Sequence, residues 1–202
     1  MRVLGFMCLF MLTVAIAKAQ FEENKHYVVL ETAKTAEPTV TEFFSLFCGH
    51  CFQFEGLISD FKKALPSGTN FEKSHVTYLP KDNETVGEGI VRAFVAMEKL
   101  GKREELSKAF FIKIHMEQKD IASLDDIKKV FTDNGVSEAD YDKVFNDPAV
   151  VQEASVMSKI WLKKGIASVP TLVINGKYRL NMGSVKSLDE LNALVSFLLK
   201  KS

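Results

Sequence analysis

The sequence contains little cysteine and no excess of charge of either sign. Only 3 of its 202 residues are cysteine, which excludes a disulfide-held scaffold and a zinc site built from four cysteines. Lysine plus arginine and aspartate plus glutamate both number 26, so nothing points to nucleic acid or anionic lipid as a partner. With 47% hydrophobic residues, 11 glycines and 5 prolines, the chain is neither disordered nor collagen-like and is long enough to bury its own core.

The segment 1–19 is predicted to be a secretory signal peptide. It begins with a positive charge at Arg2, continues with about 14 almost wholly apolar residues, and ends in the small-x-small tripeptide Ala-Lys-Ala before Gln20. A spanning helix needs about 20 apolar residues, so a membrane anchor is the weaker alternative. Cleavage two residues earlier, after Ala17, is a further alternative.

Removal of this signal changes both the charge and the cysteine content. Residues 1–19 carry two basic residues, no acidic residue and Cys8, so the exported chain keeps 24 basic and 26 acidic residues. Its cysteines are then Cys48 and Cys51 alone. Exported proteins enter oxidising compartments, where a pair of thiols is chemically significant.

The hydrophobic pattern predicts an α/β sheet domain that is interrupted by helices. Residues 39–47 form a β-branched and aromatic run, residues 49–65 have helical spacing, and residues 75–79 form a second short strand, an order that favours parallel pairing. A later hairpin is indicated by Asn175-Gly176, and a final helix begins at Ser187. The predicted divisions are 20–79 for the first part of the sheet domain, 80–157 for an all-helical insertion and 158–202 for the second part.

The motif Cys48-Gly49-His50-Cys51 lies where the first predicted strand gives way to a helix. Unpaired backbone N–H groups and the positive end of the helix dipole stabilise a thiolate at Cys48, and a protonated His50 adds to this effect. Cys51 lies one helical turn further on the same face, within reach of Cys48. Cys48 is therefore the candidate nucleophile and Cys51 the resolving thiol.

Three other interpretations of the cysteine pair compete with this one. A structural disulfide across so short a loop contributes roughly 2 kcal/mol, against about 4.7 kcal/mol for a 100-residue loop, so it stabilises little. Half a zinc site lacks further ligands, because the remaining histidines are scattered and there is no second cysteine pair. The third interpretation is two inert buried cysteines. We expect neither a metal nor a cofactor.

Val169-Pro170 opens the strand before the predicted hairpin. On its own, this pattern is that of an ordinary proline at a strand start, where a cis bond is uncommon. Together with other motifs, however, it resembles a known family, the DsbA family of thioredoxin-like disulfide oxidants of the bacterial periplasm. The motifs are Glu42-Phe43-Phe44-Ser45, Phe47-Cys48-Gly49-His50-Cys51, Gln53-Phe54-Glu55, Leu65-Pro66, Val169-Pro170 and Asn175-Gly176-Lys177-Tyr178.

The resemblance implies a thioredoxin fold with an inserted all-helical domain. It also implies that Pro170 is cis and faces the Cys48–Cys51 bridge, leaving the backbone of Val169 free to pair with an extended substrate. An acid at the Glu42 position lies beneath the active site in this family, and the Glu55 and Lys73 positions belong to the same charged group. Alternation along the strand already favours burial of Glu42, whereas solvated surface is the alternative for Glu55 and Lys73.

The expected function is donation of the Cys48–Cys51 disulfide to folding, thiol-bearing exported proteins in the periplasm, through a mixed disulfide at Cys48. The family resemblance further implies a membrane oxidase of the DsbB type as the reoxidising partner, and we expect a monomer. One departure is Gly49-His50 between the cysteines, where many DsbA proteins have Pro-His and protein disulfide isomerase has Gly-His. A disulfide isomerase or reductase, or a peptide-binding chaperone with incidental cysteines, therefore remains an alternative.

Overall fold

The computed structural model describes residues 21–201, and the predicted signal peptide lies outside this range. The described strands are β1 (Tyr27–Val29), β2 (Thr39–Phe44), β3 (Asn70–His75), β4 (Thr171–Ile174) and β5 (Tyr178–Leu180). The α-helices are α1 (Gly49–Ala64), α2 (Glu84–Lys99), α3 (Arg103–Phe111), α4 (Leu124–Asp133), α5 (Glu138–Phe145), α6 (Pro148–Lys163) and α7 (Leu188–Lys200). Among residues 21–201, no helix has the length and apolar character required to cross a bilayer.

The five strands form one mixed sheet in the order β1-β5-β4-β2-β3. β2 and β3 are parallel, as the strand–helix–strand order predicts, and the other pairs are antiparallel. The register sets Glu42 of β2 directly opposite Lys73 of β3, so the two side chains leave the same face of the sheet. Within residues 21–201, β3 pairs with β2 alone and forms an edge of the sheet.

The helical insertion shares its core with the cysteine-bearing end of the sheet domain. One cluster of buried side chains joins Phe44, Leu46 and Cys51 to the apolar face of α2 and to residues of α3–α6. A second cluster lies between the sheet and helices α1 and α7. The inserted helices therefore pack directly behind the cysteine pair.

The structure corrects two of the predicted boundaries within the first part of the sheet domain. β2 ends at Phe44, since residues 45–47 form a turn leading into α1. The second strand is not residues 75–79 but β3, Asn70–His75. The hydrophobic pattern does not reveal this strand because it contains many polar residues, and an edge strand can leave alternate side chains in solvent. β1 was not predicted; it pairs with β5 at the opposite edge.

The predicted hairpin and the predicted start of the last helix at Ser187 are confirmed. Residues 175–177 form the short loop between β4 and β5, and Asn175 and Gly176 have the positive φ values, 51° and 64°, that tight hairpin loops require. The Ser123 side chain accepts a hydrogen bond from the Asp126 N–H in a complete capping box. Within the insertion, α3 is followed directly by a π-helical turn, Ile112–Met116. The proposed domain boundary at 157 falls inside α6.

Candidate active site

Cys48 occupies the N-cap of α1. Its Sγ accepts a hydrogen bond from the Cys51 backbone N–H at 3.1 Å, in the way that a serine or aspartate oxygen commonly caps a helix. The first turn of α1 contains no acidic residue that would oppose a negative charge on this sulfur. Both cysteines are free thiols in this structure, so it represents the dithiol form.

The pKa values of the two thiols are shifted in opposite directions. The pKa of Cys48 is lowered to about 6 because its sulfur accepts hydrogen bonds from the Cys51 thiol and from the backbone N–H groups of Cys51 and His50, and because the imidazole of His50 favours the anion; partial burial opposes these effects. The pKa of Cys51 is raised, because its thiol donates to the Cys48 sulfur and its side chain is fully buried. Near neutral pH the pair therefore shares one proton, held by Cys51.

Val169-Pro170 lies beside Cys48. The peptide bond between these residues is cis, as the family resemblance implies. The Cys48 thiol is 3.4 Å from the Val169 carbonyl oxygen and donates to it when protonated. Val169 itself is only partly buried, so this stretch of backbone before β4 is open beside the sulfur.

A charged triad lies beneath the cysteines. Glu42 is fully buried, Lys73 is largely buried and Glu55 is about one third exposed. The Nζ of Lys73 is 3.2 Å from Oε2 of Glu42, forms a hydrogen bond with Glu55, and lies 4.4 Å from the centre of the Phe44 ring. The structure thus brings together the three charged residues that the resemblance grouped.

Burial controls the protonation of Glu42. It raises the pKa of Glu42 to about 7, and the charge of Lys73 only partly offsets this cost while Glu55 and Cys48 add to it. Neither carboxylate oxygen has a good hydrogen bond among the described residues. Glu42 can therefore gain or lose a proton near neutral pH, below the two sulfurs.

Two histidines that the sequence interpretation set aside as scattered hold the active-site turn. The Leu46 N–H donates to Nε2 of His75 at 3.0 Å, and the Leu46 carbonyl oxygen accepts from Nε2 of His115 at 2.8 Å. His75 is fully buried, its pKa is lowered to about 4 by burial, and its other ring nitrogen lies 2.7 Å from the Val76 carbonyl oxygen. His75 is therefore neutral, with Nδ1 protonated. The only sequence signal for this role was that His75 lies next to an apolar stretch.

His115 reaches the site from the helical insertion. It lies in the π-helical turn Ile112–Met116, a feature frequently found at functional sites. Its ring stacks on Phe52 with 5.4 Å between centroids and an interplanar angle of 11°. Because Phe52 directly follows Cys51, one side chain of the insertion contacts both flanks of the cysteine motif.

Comparison with known proteins identifies the family of this chain. The family model described as a DSBA-like thioredoxin domain matches residues 39–195. The chain is 34% identical over 173 residues to the thiol:disulfide interchange protein DsbA of Escherichia coli K12 and 33% identical to that of Salmonella typhimurium, in each case over 84% of this chain and 81% of the relative.

Solved structures of DsbA proteins superimpose on this chain. DsbA of Proteus mirabilis, bound non-covalently to the peptide PWATCDS, superimposes with a TM-score of 0.80 and 30% identity, covering 91% of this chain and all of the other. A second Proteus mirabilis DsbA structure gives a TM-score of 0.78 at 32% identity, covering 90% of this chain and 98% of that one. Because the family model covers most of the chain and curated relatives are more than 30% identical over most of their length, this chain belongs to the DsbA-like thioredoxin domain family and is a thiol:disulfide oxidoreductase.

Proposed function

We propose that this protein is a dithiol oxidase that donates a Cys48–Cys51 disulfide to newly exported proteins in the bacterial periplasm. The observation that carries the proposal is the position of the Cys48 sulfur at the N-cap of α1, where it accepts the Cys51 N–H at 3.1 Å and where hydrogen bonds lower its pKa to about 6. Whatever stabilises the Cys48 thiolate stabilises the reduced protein relative to the disulfide. Each pKa unit corresponds to about 1.36 kcal/mol, and about 1.4 kcal/mol corresponds to roughly 30 mV, so the shift favours oxidation of substrates.

The reaction proceeds in two thiol–disulfide exchanges. A substrate thiolate attacks Sγ of Cys48, forms a mixed disulfide with it, and releases Cys51 as a thiolate that takes up a proton. A second substrate thiolate then attacks the substrate sulfur of the mixed disulfide and releases Cys48 as a thiolate. The substrate loses two electrons and gains a disulfide, while the protein gains both electrons as a dithiol.

The charged triad supports proton transfer during the first exchange. Because the Cys51 pKa is raised, the released sulfur needs a proton, and the carboxyl of Glu42, with a pKa raised to about 7, lies beneath it. Lys73 sets the charge that Glu42 experiences, and the partly exposed Glu55 connects Lys73 to solvent. Glu42, Lys73 and Glu55 are thus assigned as tuning residues.

The backbone before β4 is the proposed substrate-binding edge. Val169, held in place by Pro170, offers main-chain groups to an extended peptide, so recognition does not depend on side-chain identity. The partial exposure of Val169 and its carbonyl contact with Cys48 support this assignment. The peptide-bound state of the Proteus mirabilis relative supports a peptide substrate here as well.

The cellular setting follows from the same proposal. The segment 1–19 directs export, and a membrane oxidase of the DsbB type restores the disulfide after each cycle. No nucleic acid, metal or cofactor takes part, and the protein acts as a monomer.

Cysteine variants test the mechanism. Cys48→Ser should abolish catalytic oxidation of a reduced, unfolded substrate, while Cys51→Ser should accumulate mixed disulfides that mass spectrometry locates at Cys48. Catalytic turnover by Cys48→Ser, or mixed disulfides at another residue, would contradict the assignment of the nucleophile.

Trapping the thiols in cells with an alkylating reagent tests the direction of exchange. The oxidase proposal expects Cys48 and Cys51 mainly as a disulfide. Mainly free thiols would instead favour an isomerase or reductase, the activity that Gly49-His50 brings into consideration. Function that is indifferent to Cys48→Ser would favour a chaperone.

A further inference from the structure

A groove of about 960 Å³ separates α1 from α3, on the side of the sheet domain that meets the helical insertion. Its α1 wall is formed by one helical face on which Phe52, Gly56, Ser59 and Lys62 recur at intervals of three or four residues. The α3 wall carries Arg103, Ser107, Lys108 and Phe111, and the floor is formed by Phe71 of β3 and Phe94 of α2. An aromatic interior of this volume falls in the size range of small-molecule sites.

Gly56 opens the α1 wall of this groove. It lies in the interior of a helix, where glycine is less favourable than alanine. A side chain at this position would meet no atom within 4 Å, so close packing does not require the glycine. Its φ is not in the left-handed region either. What the missing side chain at Gly56 does is leave the α1 wall of the groove open.

The lining of the groove is positively charged overall, with five basic residues against the two acidic residues Glu55 and Glu104. Lys63 pairs with Asp60 at 3.0 Å and Arg103 pairs with Glu98 at 2.8 Å. Lys62 on the α1 wall and Lys108 on the α3 wall are both exposed, and neither has an acidic partner within ion-pair distance among residues 21–201. The two walls thus each offer one ammonium group without a carboxylate partner, and that of Lys62 lies 5.8 Å from the centre of the Phe71 ring.

We infer that this groove binds an apolar carboxylate, the chemistry of a fatty acid, with its hydrocarbon body against Phe52, Phe71 and Phe111 and its anionic head near Lys62 or Lys108. Burial of the chain provides the affinity, at about 25 cal/mol per Å² of apolar surface, and the lysines select the sign of the head group. The groove is concave and open to solvent along one side, which favours a small ligand with a solvated head group over a flat protein surface. The inference does not depend on the direction in which the cysteines exchange disulfides.

Titration calorimetry with sodium dodecanoate, below its micelle concentration, tests the site in the full exported chain. We expect saturable binding of one dodecanoate and at least a tenfold loss of affinity in Lys62→Glu/Lys108→Glu. Gly56→Leu should weaken binding as much by filling the groove, with no fall in melting temperature because leucine is the better helix former.

Matched controls distinguish a specific site from nonspecific binding of amphiphiles. Lys159→Glu/Lys186→Glu makes the same change in net charge at exposed positions outside the groove and should keep the affinity of the unmodified protein. Dodecyltrimethylammonium has the same chain with a positive head and should bind at least tenfold more weakly than dodecanoate. Absence of dodecanoate binding, equal binding of both amphiphiles, or equal loss in both double variants would overturn the inference.

Discussion

Glu42 and Lys73 lie opposite each other on the parallel strands β2 and β3, with 3.2 Å between Oε2 and Nζ. One ammonium group therefore serves two carboxylates, since Lys73 also bonds to Glu55. Glu42 is the fully buried member of the triad, and it is the member whose pKa is raised, to about 7. The pair thus places a carboxyl that titrates near neutrality directly beneath the active-site cysteines.

Glu42→Gln should make the dithiol protein more stable at high pH. The folded protein holds the Glu42 proton up to pH about 7, whereas the unfolded chain releases it near the ordinary value of 4.5. The folded state binds more protons between these values, so ionisation of Glu42 costs stability as the pH rises, by at most about 3 kcal/mol. Urea unfolding at pH 4.5 and 8.5 should show a stabilisation by Glu42→Gln that is larger at pH 8.5.

Glu72→Gln is the control for this measurement. Glu72 is the exposed neighbour of Lys73 on β3, and its replacement should change stability by less than about 0.5 kcal/mol at either pH. If Glu42→Gln changes stability equally at both pH values, the buried carboxyl does not titrate as the geometry indicates.

His50→Ala should raise the pKa of Cys48 and make the disulfide a weaker oxidant. The imidazole favours the Cys48 thiolate by its charge, and this contribution is lost, while the backbone N–H groups of α1 remain. Thiolate absorbance against pH gives the pKa, and equilibration with glutathione gives the redox balance. The two shifts should agree at roughly 30 mV per 1.4 kcal/mol.

Gln53→Ala provides the comparison, because Gln53 is an exposed, uncharged residue of the same helix that does not contribute to the Cys48 pKa. It should leave both quantities unchanged. A rise in the Cys48 pKa without a change in the glutathione equilibrium would separate oxidising strength from thiolate stability.

The cysteine motif was predictable because its chemistry is carried by side chains at fixed spacing. Cys48 and Cys51 at the start of a helix, and the alternation that buries Glu42, follow from periodicity and are found in the structure. The hairpin at Asn175-Gly176 followed from turn chemistry, since both residues have positive φ. Each of these features is encoded within a few consecutive residues.

The features that were missed depend on contacts distant in sequence. β3 was misplaced because an edge strand carries Lys73 and other polar residues, so its partner β2, rather than its own pattern, defines it. His75 and His115 were not predicted as site residues. Each binds the backbone of Leu46, which lies 29 and 69 residues away in the sequence. Backbone groups have no sequence signature, so only the fold reveals which side chain satisfies them.

His75→Leu should destabilise the protein at neutral pH and less so in acid. The variant leaves the buried Leu46 N–H without an acceptor, at a cost of about 1–3 kcal/mol. In the unmodified protein the pKa of His75 is lowered to about 4 from 6.5, so the unfolded chain binds an extra proton between these values and stability falls as the pH drops through them. His75→Leu removes that loss, so the gap measured by urea unfolding at pH 8 should shrink at pH 4.5.

The proper comparison is His75→Gln, whose amide oxygen can accept the bond from Leu46 without titrating. It should lie closer in stability to the unmodified protein than His75→Leu does at pH 8. A stability gap of the same size at pH 8 and pH 4.5 for His75→Leu would show that His75 does not titrate in this range, and equal stability of His75→Leu and His75→Gln at pH 8 would show that the histidine contributes packing alone.

His115→Phe should loosen the active-site turn while leaving the aromatic stack intact. Phenylalanine preserves the contact with Phe52 but cannot donate to the Leu46 carbonyl oxygen, so the expected cost is about 1 kcal/mol. Amide hydrogen exchange at residues 46–48 should become faster, because the insertion no longer holds this backbone. His115→Gln restores a donor and should slow exchange again, whereas equal exchange in all three proteins would mean that His115 only packs against Phe52 and does not fix the approach to Cys48.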